Sequence, residues 1–277
     1  MSDFRLKVFQ SVAKNLSFTK ASQELFVSQP AITKHIQELE ATYQTRLFDR
    51  QGSKISLTES GRLLLEHCER ILEDYKRLEY EMHLLHNEYI GELKLGASTT
   101  IAQYVLPPLL GSFIGKFPQV NLSLLNGNSR EIEAALQEHR IDLGLVEGVF
   151  RLPNLKYTTF LEDELVAVVH SKSRLQLPEE ITPQDLPAIP LVLRERGSGT
   201  LDVIERSLQK HGVKLSSLHV LMYLGSTESI KLFLENSDCM GIVSIRSICK
   251  ELAAGTFRVV EIKDMPMLRD FCFVQLQ

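Results

Sequence analysis

Between Ser17 and Leu39 the chain reads SFTKASQELFVSQPAITKHIQEL: two short helices with a tight break between them. Ala21 and Leu25 lie one turn apart on the first. Ile32, Ile36 and Leu39 fall at i, i+4, i+7 on the second and give it one apolar stripe. Ser28 stands where an N-cap belongs. Gln29-Pro30 opens the helix, where proline costs little because the first N–H groups have no intrahelical partner. With the stripe turned inward, Gln29, Pro30, Thr33, Lys34 and Gln37 face out. Glutamine can pair two-pronged with adenine, threonine can meet a base edge or a thymine methyl, and lysine can reach guanine or phosphate. A recognition helix needs such a face, and an ordinary solvated helix also has one.

The flanking segments bear on that choice. Phe4, Val8 and Val12 recur every four residues, so 3–13 reads as a first helix roofing the hairpin. After the second helix, near Thr42, Phe48, Ile55 and Leu57 bracket a glycine-containing turn. This reads as a small β-hairpin, or wing, with Arg50 and Lys54 beside its tip. Such a basic hairpin suits backbone phosphates, and a loop basic by chance is the plain alternative. From Met1 to Ser60 there are eight basic and six acidic residues, net +2, against −4 for all 277 residues. A small DNA-binding module joined to a larger module with another role fits this asymmetry better than a nucleic-acid surface throughout.

Thr58-Glu59-Ser60 caps a long helix expected to reach Glu88. Leu64, Cys68, Ile71, Tyr75, Leu78, Met82, Leu85 and Tyr89 recur at alternating steps of four and three, a sustained heptad seam. A helix of that length spans about 45 Å. Its stripe is too narrow for a globular core and calls for a partner helix, so a homodimer follows, presenting two recognition helices to a two-fold site. Packing within one chain is the alternative, but no second long helix matches it.

Gly91 ends this helix. Strands are then expected near 93–97, 120–125, 141–146, 155–160, 164–169, 191–193, 219–223, 241–244, 256–262 and 271–276. Helices are expected over about 104–117, 128–139, 200–211 and 227–235. This alternation implies parallel or mixed sheets covered by helices, in two lobes rather than one. The four cysteines form no CxxC and lack histidine at ligand spacing, so no metal site or disulfide framework is expected. The N-terminus lacks a basic-then-apolar signal segment and no run has the length of a membrane span, so a cytoplasmic protein without membrane contact is expected.

The whole order resembles a LysR-type transcriptional regulator. The resemblance rests on Ser17–Ser22 (SFTKAS), Val27–Thr33 (VSQPAIT), Leu47–Arg50 (LFDR), Leu57–Gly61 (LTESG), Gly91–Gly96 (GELKLG), Ile141–Leu145 (IDLGL) and Gly197–Thr200 (GSGT). It implies an α/β protein overall: an all-α winged helix-turn-helix domain over 1–57, a dimerising linker helix over 58–90, and a two-lobed, Rossmann-like effector domain over 91–277. The effector domain would resemble periplasmic binding proteins, with lobe I over about 91–161 and 266–277 and lobe II over about 162–265. Implied partners are double-stranded DNA, further copies of the chain (a dimer through the linker, usually a tetramer), RNA polymerase and a small-molecule effector; no cofactor is implied. Gln29, Pro30, Thr33 and Lys34 would face bases, with Thr19, Ser28 and Gln37 in the same DNA-facing set, while Arg50 and Lys54 would meet backbone. The stretches GASTT, NGNSREIEAAL and LGLVEG are also similar to regulators of sulfur assimilation that sense sulfite-like anions. One departure stands out: family members usually continue into another helix, whereas this sequence stops at Gln277. Either the C-terminus is trimmed or the first lobe lacks an element.

In open α/β sheets, ligands sit at the carboxyl ends of strands near helix N-termini. Two turns qualify, Ser98-Thr99-Thr100 and Gly197-Ser198-Gly199-Thr200, the glycines letting backbone approach a ligand. Together they can clamp a small anion or carboxylate; each alone is equally an N-cap. Glu147, ending a buried strand on the cleft side, would bind a ligand ammonium or hydroxyl, or pair with Arg194 or Arg196 as the lobes close. No Walker loop, HExxH, GxSxG or paired-carboxylate pattern appears. The rival readings are therefore an anion-binding protein without a DNA role and, last, an α/β enzyme.

Overall fold

The computed structural model describes residues 4–51, 54–85 and 89–277; for 50, 51, 54, 80, 83 and 84 it describes backbone only. The chain divides into two compact units, Met1–Ile90 and Gly91–Gln277.

The first unit runs α1 (Phe4–Asn15), α2 (Phe18–Glu24), α3 (Gln29–Tyr43), β1 (Phe48–Gln51), β2 (Lys54–Leu57) and α4 (Glu59–Leu85). Ser17 caps α2 by accepting from the Lys20 amide. Ser28 caps α3 by accepting from Ala31, with Pro30 in the first turn. Ile32, Ile36 and Leu39 are buried with Val8, Phe9, Val12, Phe18, Ala21 and Leu47, so the inferred stripe is the core face. Strands β1 and β2 pair antiparallel, Phe48 opposite Leu57, and form the expected wing. The α4 seam does not behave as one surface. Cys68 is buried in the unit's own core, its thiol donating to the Leu6 carbonyl, beside Leu72, which lies off the seam, while Ile71, Leu78, Met82 and Leu85 are exposed. Residues 86–88, the expected end of this helix, lie outside the described residues.

The second unit contains β3 (Gly91–Ser98), α5 (Thr99–Tyr104), α6 (Leu106–Lys116), β4 (Val120–Gly127), α7 (Ser129–Gln137), β5 (Leu143–Glu147), β6 (Leu155–His170), β7 (Glu180–Ile181) and β8 (Leu191–Arg194). It continues with α8 (Gly199–Lys210), β9 (Val220–Leu224), α9 (Thr227–Glu235), β10 (Met240–Ser244), α10 (Cys249–Ala253), β11 (Phe257–Ile262) and β12 (Met267–Leu276). The main sheet runs β4-β3-β5-β12-β6-β10-β8-β9, with β11 also on β6 and β7 on β11. Pairing is parallel within β4-β3-β5 and within β10-β8-β9, and antiparallel where β12 meets β5 and β6. Cores under β3-β5, built from Ile132, Leu136, Ile141 and Val274, are distinct from those under β8-β10, built from Leu191, Leu201, Ile204 and Ile242. Strands β6 and β12 pass from one set to the other, which makes two lobes.

Two expectations change here. The strands read near 155–160 and 164–169 are one strand, β6, running through Glu162-Asp163. The helix read from Tyr104 starts earlier, as the short α5 at Thr99, and restarts as α6 at Leu106 with Pro107 and Pro108 in its first turn.

Candidate nucleic-acid interface and effector site

Gln29, Pro30, Lys34 and Gln37 are exposed on α3, Thr33 is half-buried between them, and Thr19 is exposed on α2. The Thr33 hydroxyl donates to the Gln29 carbonyl at 3.1 Å, and the Gln29 amide reaches Thr33 Oγ1 at 3.5 Å. This pairing stiffens two long-reaching groups one turn apart, so less side-chain entropy remains to be lost on contact with a base. Ser28 Oγ is committed to the cap at 3.4 Å. Arg50 and Lys54 sit in β1 and β2, and their side chains lie outside the described residues.

In the second unit, Ser98 ends β3, Gly127 ends β4, Glu147 ends β5, Arg194 ends β8 and Ser244 ends β10, so the carboxyl ends of both parallel sets converge. Two buried clusters fill that convergence. In the first, Arg269 Nε donates to Asp163 Oδ2 at 2.8 Å and Nη1 donates to Thr200 Oγ1 at 2.9 Å, while Nη1 lies 3.5 Å from Glu147 Oε1. Ser98 Oγ donates to Glu147 Oε2, and Ser244 Oγ donates to Asp163 Oδ1 at 2.7 Å. Burial pushes the Glu147 carboxyl above its usual range, opposed by Arg269 and then Arg194. The ion-pair partner of Glu147 is Arg269, 122 positions away, a residue outside the alternatives the sequence offers (a ligand group, or Arg194 or Arg196 on lobe closure). Arg269 lies on β12 between the buried Met267 and Phe271, and strand alternation over that run is the signal that marks it as inward-facing.

The second cluster centres on Arg194, 1% exposed. Its Nε and Nη2 donate to the Glu195 carboxylate at 2.8 and 3.0 Å, and Nη2 also reaches Thr99 Oγ1 and the Gly225 carbonyl at 3.3 Å. Its Nη1 is buried with no hydrogen-bond partner, and so is Thr100 Oγ1 on the neighbouring turn. A buried donor left unmet costs about 1–3 kcal/mol, and more when it is charged, so these two atoms have unused hydrogen-bonding capacity. In sequence the signal was an arginine closing the apolar run Leu191-Val192-Leu193. Nearby, Tyr104 OH donates to Glu228, and Lys231 Nζ meets Glu228, Glu251 and the Ser247 carbonyl, tying α5 to α9 across the lobes.

The glycine turn has another role than the one expected. A Cβ on Gly199 would stand 2.0 Å from the Glu147 carbonyl oxygen, so this glycine admits β5 of the other lobe. Ser198 Oγ accepts from the Leu201 amide as an N-cap, and the Gly197 carbonyl accepts from the Arg130 amide. Gly197 itself, at φ +92, holds a left-handed turn that favours glycine. Ser98, Glu147, Gly197, Ser198, Gly199 and Thr200 are therefore already engaged, and so is Thr99, whose hydroxyl donates to the Gly127 carbonyl at 3.2 Å; Thr100 Oγ1 and Arg194 Nη1 are the unpartnered atoms of this set. A hollow of about 420 Å³ lies between β6, β11 and the 264–267 turn and shares no residue with either cluster.

Residues 86–277 match the LysR substrate binding domain family, and residues 4–62 match the bacterial regulatory helix-turn-helix protein, lysR family. The chain belongs to the LysR family. It is a DNA-binding transcriptional regulator with an effector-binding domain, and this family identity removes the readings as a receptor without a DNA role and as an enzyme. The HTH-type transcriptional regulator CysL of Bacillus subtilis (strain 168) is 29% identical over 269 residues, 97% of this chain and 89% of that protein. Full-length CbnR in complex with its target DNA shares the LysR-regulator fold at a TM-score of 0.63 and 23% identity, covering 100% of this chain and 94% of that one. The Synechocystis PCC6803 CcmR regulatory domain in complex with 2-PG has a TM-score of 0.60 and 28% identity over 67% of this chain and 88% of that one.

Proposed function

We propose that this LysR-family regulator reads a two-fold promoter site and is switched by a small anion held between the lobes of its effector unit. The anion reading rests on one observation: Arg194 Nη1 and Thr100 Oγ1 are buried and unpartnered, and Arg194 Nη2 reaches Oγ1 of Thr99, the residue before Thr100. A carboxylate, sulfite-like or phosphate-like group offers the acceptors they lack. The carboxylate of Glu195 neutralises only one edge of the guanidinium, so the other edge selects for negative charge. The complex of CcmR with 2-PG shows that a related regulatory domain takes a small ligand of its own.

Gln29, Pro30, Thr33 and Lys34 are assigned to bases, Thr19, Ser28 and Gln37 to the groove edge, and Arg50 and Lys54 to phosphates. The exposed stripe Ile71, Leu78, Met82 and Leu85 supports dimerisation through α4. Apolar side chains exposed on α6 (Leu109, Ile114), on edge strand β4 (Leu124, Leu125) and on edge strand β9 (Leu221, Met222, Tyr223) support a second contact, giving a tetramer. The working boundaries are 1–57, 58–90 and 91–277, with lobes divided near 161 and 266. Among the described residues no helix is long and apolar enough to cross a membrane, in keeping with a cytoplasmic regulator that acts on RNA polymerase. A thermal-shift screen with sulfite, sulfate and small carboxylates tests the effector assignment. At least one anion raises the melting temperature of the wild type and fails to raise that of Arg194→Gln. An equal rise in both proteins sinks it.

A further inference from the structure

We propose that Phe26 is a specificity-determining residue of the DNA-binding unit, its ring making an apolar contact with the 5-methyl group of a thymine beside the bases met by Gln29 and Thr33. The observation is a side chain in a place where folding gains nothing from it. Helix α2 closes with paired backbone bonds, from the Val27 amide to the Ser22 carbonyl at 3.1 Å and from the Phe26 amide to the Gln23 carbonyl at 3.4 Å. That closure puts Phe26 in the left-handed region, at φ +54, a conformation glycine adopts without penalty and asparagine tolerates. Phenylalanine is a costly occupant there, and its ring is not repaid by burial: Phe26 is 95% exposed, the most exposed large apolar side chain among the described residues. Leu16, closing α1 in the same left-handed conformation, has about half its surface covered, at 48% exposed.

Position supplies the rest. Phe26 stands two residues before the Ser28 cap and three before Gln29, at the N-terminal end of α3. In helix-turn-helix proteins that end of the recognition helix enters the major groove. There the thymine methyl is the one apolar feature on any base edge, and a bare aromatic ring beside polar readers matches it. The surrounding acid is already engaged, since Glu24 accepts from Ser11 Oγ and Asn15 Nδ2.

The inference rests on α3 being the groove-entering helix, and the experiment separates the two. Full-length wild type, Phe26→Asn and Gln29→Ala each select binding sites from a random-sequence duplex library. The wild type is expected to select a half-site with a thymine that Phe26→Asn no longer requires, while Gln29→Ala loses a different position. Replacing that thymine by uracil, which removes only the methyl, weakens wild-type binding about fourfold and leaves Phe26→Asn binding unchanged. The substituted protein melts about 2–4 °C higher, because the left-handed strain is relieved. If Phe26→Asn selects the wild-type site and responds to uracil as the wild type does, the inference is overturned. The same holds if the substitution alters only the assembly mass in light scattering. If Gln29→Ala alone shifts the site, the groove reading stands without Phe26; if neither shifts it, both readings fall.

Discussion

Two arginines lie buried in the effector unit, and their surroundings assign them different work. Arg269 is matched by Asp163, Glu147 and Thr200, so its removal strands two carboxylates in the interior. Arg269→Met is expected to cost about 3–5 kcal/mol in urea unfolding. Glu147→Gln keeps the shape and one acceptor and should cost far less. Its signature is pH dependence. A carboxyl raised above the usual 4.5 favours the folded state in its protonated form, so that contribution is full below the ordinary pKa and is lost as pH rises through the raised one. The wild type therefore loses unfolding free energy relative to Glu147→Gln as pH rises above the ordinary carboxyl range, and parallel profiles for the two proteins would contradict this. Burial likewise pushes the Cys68 thiol up to about 12, and Cys249 is the one exposed cysteine, so alkylation at pH 8 should label Cys249 first and Cys68 only on unfolding. Local readings such as Ser28 as a cap and Ile32, Ile36 and Leu39 as core were legible because helix periodicity and capping act within a few residues. The Glu147–Arg269 pairing was not, because strand order brings it together.

Helix α4 shows what periodicity alone can and cannot decide. Its seam is continuous in sequence, yet Cys68 is buried in the core that α1 shares while Ile71, Leu78, Met82 and Leu85 are bare. Heptad spacing specifies a face and not which partner covers it. Leu78→Glu is expected to lower the assembly mass measured by light scattering while the core around Cys68 stays folded; an unchanged mass would remove α4 from the dimer contact. At the start of the same helix, a Cβ on Gly61 would lie 2.1 Å from the Leu47 carbonyl oxygen, so Gly61→Ala should destabilise the first unit by about 1–3 kcal/mol on thermal unfolding. Strand β6 carries the opposite lesson. The sequence places two short strands there, near 155–160 and 164–169, with a gap over 161–163. The strand runs on because Arg269 neutralises Asp163, a compensation from another strand.

At the scale of the molecule, residues 1–60 have eight basic and six acidic residues in a chain of net −4, so the basic excess is local to the helix-turn-helix and wing and does not extend along α4. Binding should weaken steeply with added salt, while the base preferences set by α3 persist. Regulation requires an effector with different affinity for two arrangements of the protein, since a ligand bound equally by both shifts nothing. In the proposed reading such a device lies where the lobes converge: Arg194 Nη1 and Thr100 Oγ1 are unmet there, and Tyr104 with Glu228 and Lys231 ties the same lobes together. Fold class and lobe count followed from the alternation of strands and helices. The sequence singles out Thr99 and Thr100 as effector residues; it does not single out the unmet Arg194 Nη1, because the burial of that atom beside Glu195, Thr99 and Gly225 depends on strand order. The most direct measurement is fluorescence anisotropy of a selected operator duplex, titrated with full-length wild type and Arg194→Gln, with and without the anion that stabilises the wild type. The anion is predicted to change wild-type operator affinity or stoichiometry and to leave Arg194→Gln, which still binds the operator, without response. An identical anion response from both proteins would contradict the account.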